Sequence, residues 1–81
     1  MDNEQLVARI RAGENVAENM LQLWQQNTGF IAKLAKKYRG YAEMDDLMQE
    51  GYIGLCNAVD KYDLEADYKF LTCASFHIRR A

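Results

Sequence analysis

The sequence predicts an all-α fold, a small bundle of about four helices, and three observations carry the prediction. Apolar residues recur at the three- and four-residue intervals of an amphipathic helix along most of the chain. No stretch alternates apolar and polar residues in the period-two manner of a half-buried strand. There is no proline, and five glycines are the main punctuation.

The elements follow in order. The first helix is expected from about Glu4 to Ala12, with Leu6, Val7 and Ile10 as its apolar stripe and Gly13 as its C-terminal cap. Asn15 is a good N-cap for the second, with Glu18 three residues on as the capping-box partner. Ala17, Met20, Leu21, Trp24, Thr28, Ile31, Leu34, Ala35 and Tyr38 then recur at helical spacing and predict a long helix ending before Gly40. Gly29 costs ~1 kcal/mol relative to alanine inside a helix and marks a place to kink or break. The third helix is expected to open at Asp45 or Asp46, where acidic residues suit the helix dipole, and to run to about Lys61. The polar stretch 63–67 reads as a loop, and the fourth helix runs from about Thr72 to the end. The whole, 1–81, is one small helical domain.

Composition bounds the function. Hydrophobic residues make up 49% and charged residues 27%, a globular and not a disordered balance. There is no signal-peptide start and no apolar run long enough to span a membrane, so a cytoplasmic protein without membrane partners is expected. Cys56 and Cys73 are not in a CxxC pair and are expected as free, small apolar side chains. The net charge of −2 conceals blocks: −2 over residues 1–26, +4 over 27–42, −7 over 43–67 and +3 over 68–81. Alternating blocks suggest different partners on different faces, although any one block is ordinarily a solvated surface.

The third helix has two faces. Leu47, Met48, Gly51, Gly54, Leu55, Ala58, Val59 and Tyr62 fall on the side expected to face the core, where the two glycines permit close approach of another helix. Asp45, Asp46, Gln49, Glu50, Tyr52, Ile53, Cys56, Asn57 and Asp60 fall opposite. Tyr52, Ile53 and Cys56 are out of place in water. Either an apolar centre ringed by acids awaits a basic helical partner, or Ile53 packs under a neighbouring helix end. In the last third, Tyr62, Tyr68, Phe70, Phe76 and His77 are interleaved with Lys61, Lys69, Arg79 and Arg80. Rings stack on unpaired bases and cations hold phosphates, the composition for single-stranded nucleic acid; in a generic helical domain the same rings form the core. Composition leaves both readings open.

The run Asp46-Leu47-Met48-Gln49-Glu50-Gly51-Tyr52-Ile53-Gly54-Leu55, then Ala58-Val59-Asp60-Lys61-Tyr62-Asp63, Tyr68-Lys69-Phe70-Leu71-Thr72-Cys73-Ala74 and Ile78-Arg79-Arg80-Ala81, resembles region two of the bacterial sigma-seventy family of RNA polymerase sigma factors. Ile31-Ala32-Lys33-Leu34-Ala35-Lys36-Lys37-Tyr38 resembles the helix just upstream, and Leu6-Val7-Ala8-Arg9-Ile10 with Ala12-Gly13-Glu14 looks like the start of alternative members. The resemblance implies docking of Asp46, Gln49, Glu50 and Tyr52 on a helical coiled coil of the largest subunits of core RNA polymerase. It implies capture of the promoter minus-ten element, as non-template single strand with one adenine flipped into an aromatic pocket, by Lys61, Tyr62, Tyr68, Lys69, Phe70, Thr72, Phe76, His77 and Arg80. It admits an anti-sigma factor as a further partner, and it implies no cofactor, metal or catalysis.

Departures from the family pattern bear on melting. Cys73 stands where a tyrosine is usual, and Phe76 and His77 where two tryptophans are usual. Glu65, Ala66 and Asp67 replace a basic pair and a glycine, and Leu71 replaces a capping serine, leaving Thr72 as the nearest cap. These imply weakened or altered melting, and they support a second reading as a polymerase-binding interaction module that does not melt DNA. The family's C-terminal helix-turn-helix domain has no counterpart here, and the uncapped end at Arg79-Arg80-Ala81 reads as a domain cut from a longer protein. An enzyme is not expected: there is one histidine and no nucleophile–base set around it. Cys73 and His77 lie four apart on one helix, but two ligands do not make a metal site.

Overall fold

The computed structural model describes residues 1–39 and 43–80, without the side chains of residues 38, 39 and 80. Four helices order the described residues: α1 (Asn3–Arg11), α2 (Val16–Arg39), α3 (Met44–Lys61) and α4 (Phe70–Arg80). No strand occurs among them. The bundle measures 37 × 26 × 17 Å, two helix layers in its thinnest direction. Each helix touches every other, so one core serves all four.

α1 starts one residue earlier than its periodicity indicates, because Asp2 and Gln5 form a capping box. Asp2 Oδ1 accepts the Gln5 N–H at 2.8 Å and Gln5 Oε1 accepts the Asp2 N–H at 3.0 Å. Its C-terminus closes as expected on Gly13, at φ +78°, a conformation that only glycine adopts without cost. The Gly13 N–H reaches the Ile10 carbonyl at 3.0 Å and the Glu14 N–H the Arg9 carbonyl at 2.9 Å, the paired bonds of a Schellman motif. Leu6 and Val7 are fully buried.

The start of α2 differs from the expected capping box. Asn15 sits at φ 41°, not in the extended backbone of a capping residue, and the turn is tied instead by Asn19, whose side-chain amide donates to the Glu14 carbonyl at 2.9 Å. The inward row also differs: Asn19, Leu23, Asn27, Ile31 and Ala35 are buried, one every four residues, while Ala17 and Leu21 face solvent. Asn27 is satisfied by Asn3, to whose Oδ1 it donates at 2.7 Å, and by the Leu23 carbonyl at 2.8 Å. α2 runs unbroken through Gly29, and a Cβ there meets nothing within 4 Å. Gly29→Ala is therefore expected to stabilise the chain by about 0.8–1 kcal/mol, read as a rise of several degrees in the thermal midpoint. The expected position of Tyr38 in the apolar stripe lies outside the described side chains.

α3 begins at Met44, so Asp45 and Asp46 occupy its first turn beside the dipole, and neither is its cap; the capping position is Glu43, which makes no side-chain cap bond. Its inner row is the expected one. Leu47, Gly51, Gly54, Leu55, Ala58, Val59 and Tyr62 are all buried, and Met48 is half-buried. A Cβ on Gly51 would stand 2.5 Å from Ile31 Cγ2 of α2, and one on Gly54 would stand 2.8 Å from Ile78 Cα of α4. These two glycines set how closely both neighbours approach.

α4 begins at Phe70, two residues before Thr72. The Phe70 N–H donates to Glu4 Oε2 of α1 at 2.6 Å, so a carboxylate 66 residues away caps the helix and Thr72 does not. Phe70, Ala74 and Ile78 form its buried row. The loop from α3 contains a tight turn at Asp63, whose Oδ1 accepts the Glu65 N–H at 2.9 Å.

Candidate functional site

Two surface features stand on this frame. The first is the outer side of α3. Asp45, Asp46, Gln49, Asn57 and Asp60 are exposed there, Glu50 and Cys56 are half-buried, and Tyr52 and Ile53 are 41% and 55% exposed. The four residues expected to face a protein partner, Asp46, Gln49, Glu50 and Tyr52, are thus on one side of one helix. Ile53 is not packed under a helix end. It borders a groove of about 490 Å³ lined by Trp24, Met48, Gln49, Tyr52 and Ile53. Trp24 of α2 meets Tyr52 edge-on, with ring centroids 5.3 Å apart and planes at 82°. Met48, expected on the core side of α3, and Trp24, expected in the helical stripe of α2, are both half-buried and line the groove as well.

Charge on this face is acidic, and its titratable neighbours are quiet at neutral pH. The Tyr52 phenol is pushed above its ordinary value, first by charge on the adjacent Cys56 and then by burial. Burial pushes the Cys56 thiol up; a hydrogen bond with Tyr52 acts against this and the Asp60 charge adds to it. A thiol held protonated is a poor nucleophile, so Cys56 serves as a small apolar side chain.

The second feature is a pocket of about 380 Å³ lined by Lys61, Tyr68, Thr72, Cys73, Phe76 and His77. Tyr68 and Phe76 are 48% and 52% exposed. Phe76 and His77 meet edge-on at 5.6 Å. Five of the nine residues expected to meet nucleic acid, Lys61, Tyr68, Thr72, Phe76 and His77, come together here. Cys73 joins them as a wall residue, its thiol raised by burial.

Three of the other four lie elsewhere. Tyr62 and Phe70 are 3% and 0% exposed, so their ring faces are covered by protein and offer no platform to a base. They lie beneath the pocket. Tyr62 meets Phe70 edge-on at 5.5 Å and Tyr68 at 5.9 Å, and its hydroxyl donates to the Tyr68 carbonyl at 2.8 Å. Burial, and then the Glu4 charge, pushes the Tyr62 phenol up. Lys69 is exposed over a different, polar cleft of about 370 Å³ shared with Asp2, Asn3, Glu4, Gln26, Asn27 and Leu71. The side chain of Arg80 lies outside the described residues.

The rings of the aromatic segment are thus divided, Tyr62 and Phe70 in the core and Tyr68, Phe76 and His77 at the pocket. The row 70, 74, 78 faces inward, and the neighbouring row through Thr72, Cys73, Phe76 and His77 faces the pocket. Among the described residues no three His, Cys, Asp or Glu side chains converge as a metal site would need, and no helix is long and apolar enough to cross a membrane.

Relatives with this sequence pattern exist. Over 75 residues the chain is 40% identical to the RNA polymerase sigma factor SigA of Nostoc sp., an alignment covering 90% of this chain and 18% of that one. Over 77 residues it is 39% identical to the RNA polymerase sigma factor SigA of Listeria monocytogenes, covering 94% of this chain and 20% of the relative. The SigA of Microcystis aeruginosa is 41% identical over 75 residues, 17% of its length. The chain thus spans about a fifth of the length of these relatives. No solved structure gives a significant match. The profile of Sigma-70 region 2 matches residues 23–81, which take in most of α2 and all of α3, α4 and their surface features, and the chain belongs to the Sigma-70 region 2 family.

Proposed function

We propose that this chain is the part of a sigma factor that docks on core RNA polymerase through the outer side of α3 and captures the non-template strand of the minus-ten element in the α4 pocket. The observation that carries the reading is the sorting of rings: Tyr62 and Phe70 fill the core while Tyr68 and Phe76 stand exposed and line one pocket together with Lys61. An exposed ring that is held from beneath is a stacking platform, worth ~1–3 kcal/mol per base. The docking half rests on the groove lined by Trp24, Tyr52 and Ile53 and on the exposed acids Asp45, Asp46 and Asp60 of α3, which together complement a basic helical partner. Neither half needs catalysis, since unstacking a base is driven by the contacts that replace the stack.

Binding of a labelled single-stranded oligonucleotide tests the first half. The minus-ten non-template sequence is expected to bind at least tenfold more tightly than its scramble, with affinity falling steeply as salt rises. Tyr68→Ala or Phe76→Ala is expected to remove about 1–3 kcal/mol of that binding. Asp46→Lys reverses an exposed charge, so it is expected to abolish capture of core polymerase while lowering the thermal midpoint by only a few degrees, the cost of a cation in the first turn of α3. Equal binding of the two oligonucleotides alongside intact polymerase capture favours the docking-only reading, to which the exposed Glu65 and Asp67 near the pocket belong.

A further inference from the structure

The geometry points to α1 as the positioning element of the α4 pocket, with Glu4 and Arg11 acting at a distance on its wall; the inference rests on the pocket being the strand-binding feature proposed above. α4 has no cap of its own. The residue before it is Lys69, whose side chain carries no acceptor, and the first turn opens with Phe70 and Leu71. Its leading N–H is satisfied by Glu4 Oε2 at 2.6 Å, a charged acceptor at the positive end of the helix. The opposite end of the preceding helix is treated the same way with the opposite charge. Arg11 Nη1 donates to the Val59 carbonyl at 3.4 Å and to the Tyr62 carbonyl, where α3 leaves orphan acceptors.

Glu4 and Arg11 are seven residues apart, two turns along one face of α1. They therefore clamp the two ends of the segment 62–70. Inside that span the Tyr62 hydroxyl holds the Tyr68 carbonyl at 2.8 Å and the Tyr62 ring backs both Tyr68 and Phe70. Tyr68 is one wall of the pocket; Thr72, Cys73, Phe76 and His77 of α4 are the other. Neither Glu4 nor Arg11 lines it. The separation between the two walls is thus set by a helix that does not touch the ligand, and releasing either bond lets Tyr68 drift relative to α4.

The test uses the whole 81-residue chain with Glu4→Ala and Glu4→Gln, the labelled minus-ten non-template strand as probe, and amide hydrogen exchange as a structural readout. Both variants remove the same negative charge, so any easing of repulsion toward DNA is common to them. Only glutamine keeps an acceptor for the Phe70 N–H. Glu4→Ala is expected to weaken strand binding about fivefold and Glu4→Gln to stay within about twofold of the parent. In Glu4→Ala the Phe70 and Leu71 amides exchange faster while the Leu55 amide in mid-α3 does not, and capture of core polymerase is unchanged. Equal strand binding by the two variants, or faster exchange spread evenly over α3 and α4, overturns the inference. If the parent chain binds no strand, the functional reading fails by itself; exchange confined to the start of α4 then still upholds the clamp, and its absence overturns it.

Discussion

Phe70→Ala is expected to lower the stability of the chain by about 3–5 kcal/mol, measured by urea unfolding followed by far-ultraviolet circular dichroism. A domain of this length has only roughly 4–12 kcal/mol in total, so a large part of it is lost. Phe70 is fully buried, sits edge-on to Tyr62 at 5.5 Å, and opens the helix that carries the pocket. Truncation leaves a void at the meeting point of α1, α3 and α4, where the surrounding side chains can only partly collapse. Strand binding and polymerase capture are expected to fail together. Phe76→Ala six residues on has the same chemistry and the opposite setting, being half exposed, and its cost to stability is expected within about 0.5 kcal/mol. Equal costs for the two would refute the division of the aromatic residues between core and pocket.

Gly54→Val carries the second large effect. A Cβ at this position stands 2.8 Å from both Cα and Cγ1 of Ile78 and 3.0 Å from its backbone nitrogen. The obstacle is largely backbone, which no rotamer change can move aside, so α4 must shift bodily away from α3. Overpacking of this kind costs about 1–3 kcal/mol or more, and a valine adds two methyl groups to the clash. The expected result is a lower urea midpoint with a broadened transition, and loss of strand binding beyond what the fall in stability explains, because the displaced helix carries one wall of the pocket. Gly29→Ala is the internal control: the same backbone change in open space is expected to have the opposite sign.

What could be read from the sequence divides along a physical line. The inner and outer faces of α3 were legible because one regular helix sorts its residues by angle, and an inner row of Leu47, Gly51, Leu55 and Ala58 is apolar or small throughout. The inner row of α2 was not, because Asn19 and Asn27 occupy core positions and are made tolerable by hydrogen bonds that a count of apolar residues does not register, to the Glu14 carbonyl, to Asn3 and to the Leu23 carbonyl. An apolar count alone rotates that helix toward Leu21. The aromatic residues near the C-terminus could not be sorted because the start of α4 was placed two residues late. With Thr72 as the cap, Phe70 belongs to a loop; with Glu4 as the cap, Phe70, Ala74 and Ile78 become one buried row and the pocket residues follow. Local rules look for a cap within a few residues, and this one comes from the other end of the chain. The groove on α3 was half legible: Ile53 and the exposed acids of α3 were evident, but Trp24 joins it only through the packing of α2 on α3.

The bond between Glu4 and Phe70 also dictates when the molecule can be finished. It joins residues 66 positions apart, and the Arg11 bond to Tyr62 joins residues 51 apart, so both close loops that take in most of the chain. Such closures are slow to form and cannot begin until the distal partner exists. During synthesis α2 can pack on α1 as soon as it emerges, whereas the partners of Glu4 and Arg11 arrive only with residues 59–70. A nascent chain halted after α3 holds every acidic residue of the outer side of that helix and still lacks the helix whose first N–H Glu4 caps.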